Sequence, residues 1–152
     1  MKKNFSWKNK KVLVTGGASF IGSTLVDRLL EKNATIRVVD NLVSGKKKNI
    51  SKHIKQKQVE FIHKDLREPS VARKATKGMD MVFHLAADHG GRGYIDRHQA
   101  STASNFFLDG LVFSESLKAG VEKIIFSSTG CTYPKYLQED ISKSVFLKES
   151  MV

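Results

Sequence analysis

An α/β fold, with a parallel sheet covered on both faces, is what this 152-residue sequence predicts. Short β-branched runs alternate with longer mixed stretches, no internal repeat or low-complexity linker interrupts them, and the first run opens through glycines into a helical pattern.

Lys11 to Thr15 (KVLVT) is the first strand, and Phe20 to Asn33 then sets Ile21, Leu25, Leu29 and Leu30 on one helical face. Thr35 to Asp40 (TIRVVD) reads as the second strand, Gln58 to His63 as the third and Asp80 to Ala87 as the fourth. The fourth is nearly continuous in apolar residues, as strands covered on both faces are. Arg97 to Ala119 offers Phe106, Phe107, Leu111, Phe113 and Leu117 over the length of a helix, and Gly120 stands where a C-terminal cap belongs. Lys123 to Ser128 supplies a fifth strand. Strands alternating with helices imply parallel pairing with right-handed crossovers.

Hydrophobic residues at 40% and charged residues at 27% suit one packed domain. No apolar run is long enough to span a membrane, and the opening MKKNFSWKNKK does not develop into a secretory signal, so a cytoplasmic location is expected. The single cysteine, Cys131, leaves neither an intramolecular disulfide nor a Cys-based zinc pattern. His89 and His98, with Asp88 and Asp96, lie close in sequence but match no common zinc spacing, so no metal is expected. Lysine and arginine number 26 against 15 acids, a formal charge of +11. The lysine-rich stretches read as solvated surface or as a basic patch; they lack interleaved aromatics and any zinc, homeodomain or RRM signature, so nucleic acid is not the expected partner.

The turn after the first strand is TGGASFIG, Thr15 to Gly22. Against the pattern G-x-G-x-x-G it places Gly17, Ser19 and Gly22, with Ser19 for the middle glycine and Gly16 just before. In that pattern the first glycine permits a sharp turn, the second lets a pyrophosphate approach the backbone, and the third allows close helix-to-strand packing. Amides at the helix N-terminus then face the phosphates. Asp40 ends the second strand 18 residues after Gly22, where an acid can accept hydrogen bonds from an adenosine ribose. The fold is therefore a Rossmann-like, doubly wound sheet. A carboxylate at Asp40 repels a 2′-phosphate, which favours NAD over NADP, although Lys46 to Lys48 lie shortly downstream.

With TGGASFIG, Asp40, Asp65-Leu66 after the third strand and HLAA (His84 to Ala87) after the fourth, the chain resembles the extended short-chain dehydrogenases/reductases, the NAD-dependent nucleotide-sugar epimerases and dehydratases. That resemblance implies that Gly16, Ala18, Phe20 and Ile21 shape the dinucleotide loop together with Ser19 and Gly22. It implies that Asp65 and Leu66 flank the adenine and that Leu85, Ala86 and Ala87 line the nicotinamide half. Asn105 matches the family's asparagine in the long helix. Ser19 departs from the usual TGGAGFIG at a position where a side chain can crowd the pyrophosphate.

Two stretches are similar to the matching segments of the GDP-mannose 3,5-epimerases: LAADHGGRGYIDRHQ, with the paired Gly90 and Gly91, and SSTGCTYP. The double glycine reads as a place for a sugar to approach the backbone or as a flexible loop. By the resemblance Thr129 is the catalytic Ser/Thr, Cys131 exchanges a proton with the sugar ring, and the substrate is a nucleotide-diphosphate sugar. The implied reaction is transient oxidation at sugar C4, inversion of an acidified neighbouring centre, and re-reduction. By the family's pattern, residues 1–152 are the N-terminal part of an NAD(P)-binding domain, without the Tyr-x-x-x-Lys helix and the substrate domain. The resemblance thus implies no epimerisation by this chain alone, and an unfinished sheet that favours a homodimer or a missing C-terminal half. A UDP-glucose 4-epimerase and a non-enzymatic dinucleotide-binding sensor or scaffold are the competing readings.

Overall fold

The computed structural model describes residues 5–129, 132–137, 142 and 144–151. Five strands, β1 (Lys11–Thr15), β2 (Thr35–Asp40), β3 (Val59–His63), β4 (Met81–His84) and β5 (Lys123–Phe126), form one sheet in the order β3-β2-β1-β4-β5. All four pairings are parallel, Val12 standing opposite Ile36 on one side and Met81 on the other. The helices are α1 (Phe20–Glu31), α2 (Ser51–Lys55), α3 (Pro69–Thr76), α4 (Arg92–Arg97) and α5 (Gln99–Lys118). The expected α/β class is what the chain adopts.

Alternation along the strands divides the core between two faces. Val12, Val14, Ile36, Val38 and Met81 pack with Val26 and Leu29 of α1, while Leu13, Val39 and Val82 pack with Val71, Ala72 and Ala75 of α3 and with Leu108 and Val112 of α5. Arg37 of β2 pairs with Glu60 of β3 at 2.7 Å and donates to the carbonyls of Lys74, Ala75 and Lys77, closing the end of α3. No helix among the described residues is long and apolar enough to cross a membrane.

Three expectations need correction. The buried face of α1 is Gly22, Val26 and Leu29, with Leu25 and Leu30 packed against the core, while Ile21 is exposed. The fourth strand stops at His84, because the amides of Leu85 and Ala86 turn to the Thr15 hydroxyl. In α5 the buried set is Leu108, Val112, Glu115 and Ser116, and Phe106, Phe107 and Leu117 point outward. Gly120 ends α5 as expected: its φ is +72°, and the amides of Gly120 and Val121 reach the carbonyls of Leu117 and Ser116 in a Schellman cap.

Candidate functional site

The strand order reverses direction between β1 and β4, and at the carboxyl ends of these strands opens a cleft of about 720 Å³. This switch point is where open α/β sheets bind ligands. Its walls include Gly16, Ser19, Phe20 and Ile21, the ends of β2 and β3, residues Leu85 to His89, and a stripe of α5 formed by Ser101, Ser104, Asn105 and Leu108.

The glycine turn is built for close approach. Gly16 adopts φ +67°, and a Cβ there would stand 3.0 Å from the Ala86 nitrogen. At Gly22 a Cβ would fall 2.2 Å from the Gly16 carbonyl oxygen, so only glycine lets α1 start against the turn. The sharp turn is therefore at Gly16, one residue ahead of the position that G-x-G-x-x-G alignment assigns to it; Gly17 instead packs against Val38. Ser19 is the N-cap of α1, its hydroxyl accepting the Gly22 amide at 3.1 Å with an ordinary extended backbone. Among the described residues nothing accepts its own O–H proton. Among the described residues no hydrogen bond engages the Phe20 and Ile21 amides, and no acid stands in the first turn.

Asp40 is buried, 6% exposed, and its two oxygens accept the Ala18 amide at 2.9 Å and the Leu42 amide at 2.8 Å. It thus ties the glycine turn to the loop after β2 as well as lining the cleft. The same loop is fastened again by Asn49, which donates to the Ala18 carbonyl at 2.8 Å, and by Lys46, whose amide meets that carbonyl at 3.0 Å.

Asp65 follows β3. Arg67 holds it in a fork of 2.6 and 3.0 Å, reaches Ser104 of α5 at 3.0 Å, and Asn41 adds a bond at 3.2 Å. The guanidinium brings the Asp65 carboxyl down to about 2. Leu66, beside it, is buried in the core.

Under the cleft lies His84, 1% exposed. The Thr15 hydroxyl accepts the amides of Leu85 and Ala86, both at 3.0 Å, so its single proton goes to His84 Nδ1 at 2.7 Å. His84 then carries its proton on Nε2 and donates to Asp109 at 3.0 Å. Burial pushes the imidazole below its usual range, with Asp109 opposing.

Asn105 pins the next turn, accepting the Asp88 amide and donating to the Asp88 carbonyl, both at 2.8 Å. The Asp88 carboxylate accepts from Tyr94 at 2.8 Å and from Ser101, and these hydroxyls, Ser101 first, hold it below the usual carboxylate range. The room left by the missing side chain of Gly90 is filled by the Tyr94 ring; Gly91 has open space around it and begins α4. Neither glycine lines the cleft, which at this end is walled by Ala87, Asp88, His89, Tyr94 and Ser127. Thr129 is exposed beyond β5, its carbonyl accepting from the amide and hydroxyl of Thr132. Cys131 lies outside the described residues.

Of the residues expected at a dinucleotide site, Gly16, Ser19, Phe20, Ile21, Asp40, Asp65, Leu66, Leu85, Ala86 and Ala87 line this cleft, and Ala18 and Gly22 support it from behind. Asn41, Ser44, Arg67, Tyr94, Ser101 and Ser104 also line it and were not anticipated. Only the stripe on α5 had a readable signal, in the spacing of Ser101, Ser104, Asn105 and Leu108.

The model of the family described as NAD dependent epimerase/dehydratase matches residues 12–150. The chain belongs to that family. It is 34% identical over 85% of its length to a proposed UDP-glucose 4-epimerase of Methanocaldococcus jannaschii, and 33% identical over 95% to GDP-mannose 3,5-epimerase 1 of Oryza sativa subsp. japonica. These matches span 42% and 37% of the two relatives, so the chain covers about two fifths of their length. Among solved structures, an epimerase of Methanothermobacter thermautotrophicus superposes with a TM-score of 0.80 at 29% identity, over 95% of this chain and 41% of that one. UDP-glucose 4-epimerase of Thermotoga maritima, solved with UDP-glucose, gives 0.71 at 36%, over 79% and 38%. The enzyme WbmF of Bordetella bronchiseptica, in complex with NAD+, gives 0.70 at 32%, over 82% and 37%.

A dinucleotide suits the residues present. The glycine turn brings three backbone segments together beneath a helix N-terminus that offers the Phe20 and Ile21 amides and the Ser19 proton, the donor set a diphosphate needs.

Proposed function

We propose that this chain is the NAD-binding portion of a nucleotide-sugar epimerase of the GDP-mannose 3,5-epimerase kind. The cleft at the β1–β4 switch point, with its glycine turn at the N-terminus of α1, is the observation that carries the reading. In it the Phe20 and Ile21 amides and the Ser19 hydroxyl hold the pyrophosphate. Asp40, with Asn41 and Ser44 beside it, meets the adenosine ribose and favours NAD over NADP. Asp65 and Leu66 border the adenine, and Leu85, Ala86 and Ala87 border the nicotinamide. NAD bound there supplies reversible oxidation of a sugar carbinol.

The remaining roles fall to residues outside the cofactor set. Thr129 orients a sugar hydroxyl, Gly91 leaves room for the ring, and Cys131 moves a proton at the ring carbon next to the oxidised centre. A thiol whose ordinary pKa is about 8.5 does this only where its surroundings suit the proton transfer. The tyrosine and lysine base pair of such enzymes is not supplied by Tyr94, Tyr133 or Tyr136, whose fourth following residues are His98, Leu137 and Asp140. The chain is therefore a cofactor half that does not turn over alone.

A UDP-glucose 4-epimerase is the second reading, favoured by the 34% identity to the Methanocaldococcus jannaschii protein and 36% to the Thermotoga maritima enzyme. It shares the cofactor residues and has no use for Cys131. The test is turnover of GDP-mannose and UDP-glucose by this chain and by any longer product of the same gene. We expect GDP-mannose to be epimerised by the longer product only, with a loss of at least about 100-fold in Cys131→Ser, as for a general acid or base. Activity on UDP-glucose that survives Cys131→Ser defeats the assignment.

A further inference from the structure

We propose that the groove at the amino ends of the strands, at the opposite end of the sheet from the cleft, is a second anion site that binds a linear oligophosphate chain. The groove shares no lining residue with the cleft, so this assignment stands apart from the cofactor reading.

Because the strands run parallel, their amino ends lie along one edge of the sheet and bring the residues around them together. Four neighbours in the order β3-β2-β1-β4 each contribute one cation: Lys57 ahead of β3, Arg37 in β2, Lys11 at the start of β1 and Lys77 ahead of β4. Three strand spacings of about 4.8 Å make this a row about 14 Å long. The four line a groove of about 530 Å³ in which Glu60 is the one lining acid.

Arg37 is a fixed cation. Its side chain is 16% exposed, Nε is paired with Glu60 at 2.7 Å, and Nη1 donates to the carbonyls of Lys74, Ala75 and Lys77. Its Nη2 has no partner among the described residues. The same holds for the ammonium groups of Lys11, Lys57 and Lys77 and for the Gly78 amide, beside which a Cβ would meet nothing within 4 Å. Asp80, just beyond the groove, gives one carboxylate oxygen to the Lys11 amide at 2.8 Å. With Glu60 already held by Arg37, the groove keeps a positive excess, and a concave surface lined by one sign of charge gathers the opposite ion.

The lining also selects the class of anion. No aromatic side chain faces the groove, so the bases of a single-stranded nucleic acid have nothing to stack on. A lone carboxylate meets only one or two members of the row. A chain of regularly spaced phosphates meets all four, and lysine binds phosphate as a point charge without demanding a fixed geometry. The ligand is therefore an oligophosphate, free or as the tail of a nucleotide.

Calorimetric titration of sodium tripolyphosphate into the folded chain at about 0.15 M salt tests this, with the nitrogen-15 amide shift of Gly78 locating the ligand. Saturable binding with a Kd below about 1 mM is expected, and the Gly78 shift saturates with it. The double variant Lys57→Gln, Lys77→Gln alters only exposed side chains and raises the Kd at least about tenfold, with the circular dichroism spectrum unchanged. No saturable binding overturns the proposal, as does binding indifferent to that variant. Tripolyphosphate that shifts the Phe20 and Ile21 amides but not Gly78 belongs to the cleft; the groove assignment then falls while the cofactor reading stands. Adenosine triphosphate, read at Gly78, binds as tripolyphosphate does, and a preference for it above about tenfold reveals a nucleobase pocket and overturns the assigned class. A duplex oligonucleotide that displaces tripolyphosphate from Gly78 at a Kd more than about tenfold lower assigns the row to nucleic acid instead.

Discussion

Thr15 and His84 show how much of this site rests on single polar groups. One hydroxyl satisfies two amides and one imidazole nitrogen, so the turn after β4, the end of β1 and the tautomer of a buried histidine are set together. In the sequence Thr15 is only the end of a strand, and His84 only a histidine in an apolar run. Their connection spans 69 residues of chain, beyond any local pattern. It has a consequence for stability. Because burial lowers the folded-state pKa of His84, the unfolded chain takes up a proton first as the pH falls. The contribution of His84 is therefore complete above the unfolded pKa of about 6.5 and declines below it. Urea midpoints should therefore be lower at pH 5.5 than at pH 7.5. His84→Gln should remove that part of the slope, and an unchanged slope would place the pH dependence elsewhere.

At the scale of elements, legibility followed the strength of local signals. The five strands and the long helix stood out as β-branched runs and as a segment closed by Gly120. The helices α2 and α3 were not anticipated: α2 is five residues inside a lysine-rich stretch, and α3 buries only the small side chains Val71, Ala72, Ala75 and Thr76. Pro69 in its first turn and Gly78, at φ +72° beyond its end, were the available markers. The short α4 follows directly on the paired glycines, where composition reads as loop. The glycine turn was recognised as a unit, yet which glycine turns and which one packs became clear only from neighbours on β2 and β4. Gly22 is the most demanding of them, since the two nearest atoms in conflict, the Gly16 carbonyl oxygen and the Gly17 Cα, belong to backbone. Gly22→Ala should lower stability by about 3 kcal/mol in a thermal melt, the scale of severe overpacking, and pull α1 from the turn. Gly91→Ala, with open space around it, should change the melt by less than about 0.5 kcal/mol.

Across the whole molecule, charge and topology cooperate. The first turns of the five α-helices hold no acid, while the last turns hold Arg28, Lys55, Lys74, Arg97 and Lys118. Cations at helix C-termini complement the macrodipole, and this accounts for part of a +11 charge without a polyanionic partner. The parallel sheet turns the N-terminus of α1 toward the cleft, so one end of the molecule is prepared for an anion before any ligand arrives. On the proposed function, this cleft binds a nicotinamide dinucleotide without the rest of a family-length chain. Titrating NADH against the chain and following its fluorescence tests this. A saturable signal, displaced by NAD and weaker in Gly22→Ala, is expected; no saturable signal from the folded chain up to about millimolar concentration, the weak limit of specific binding, would rule out the cofactor site.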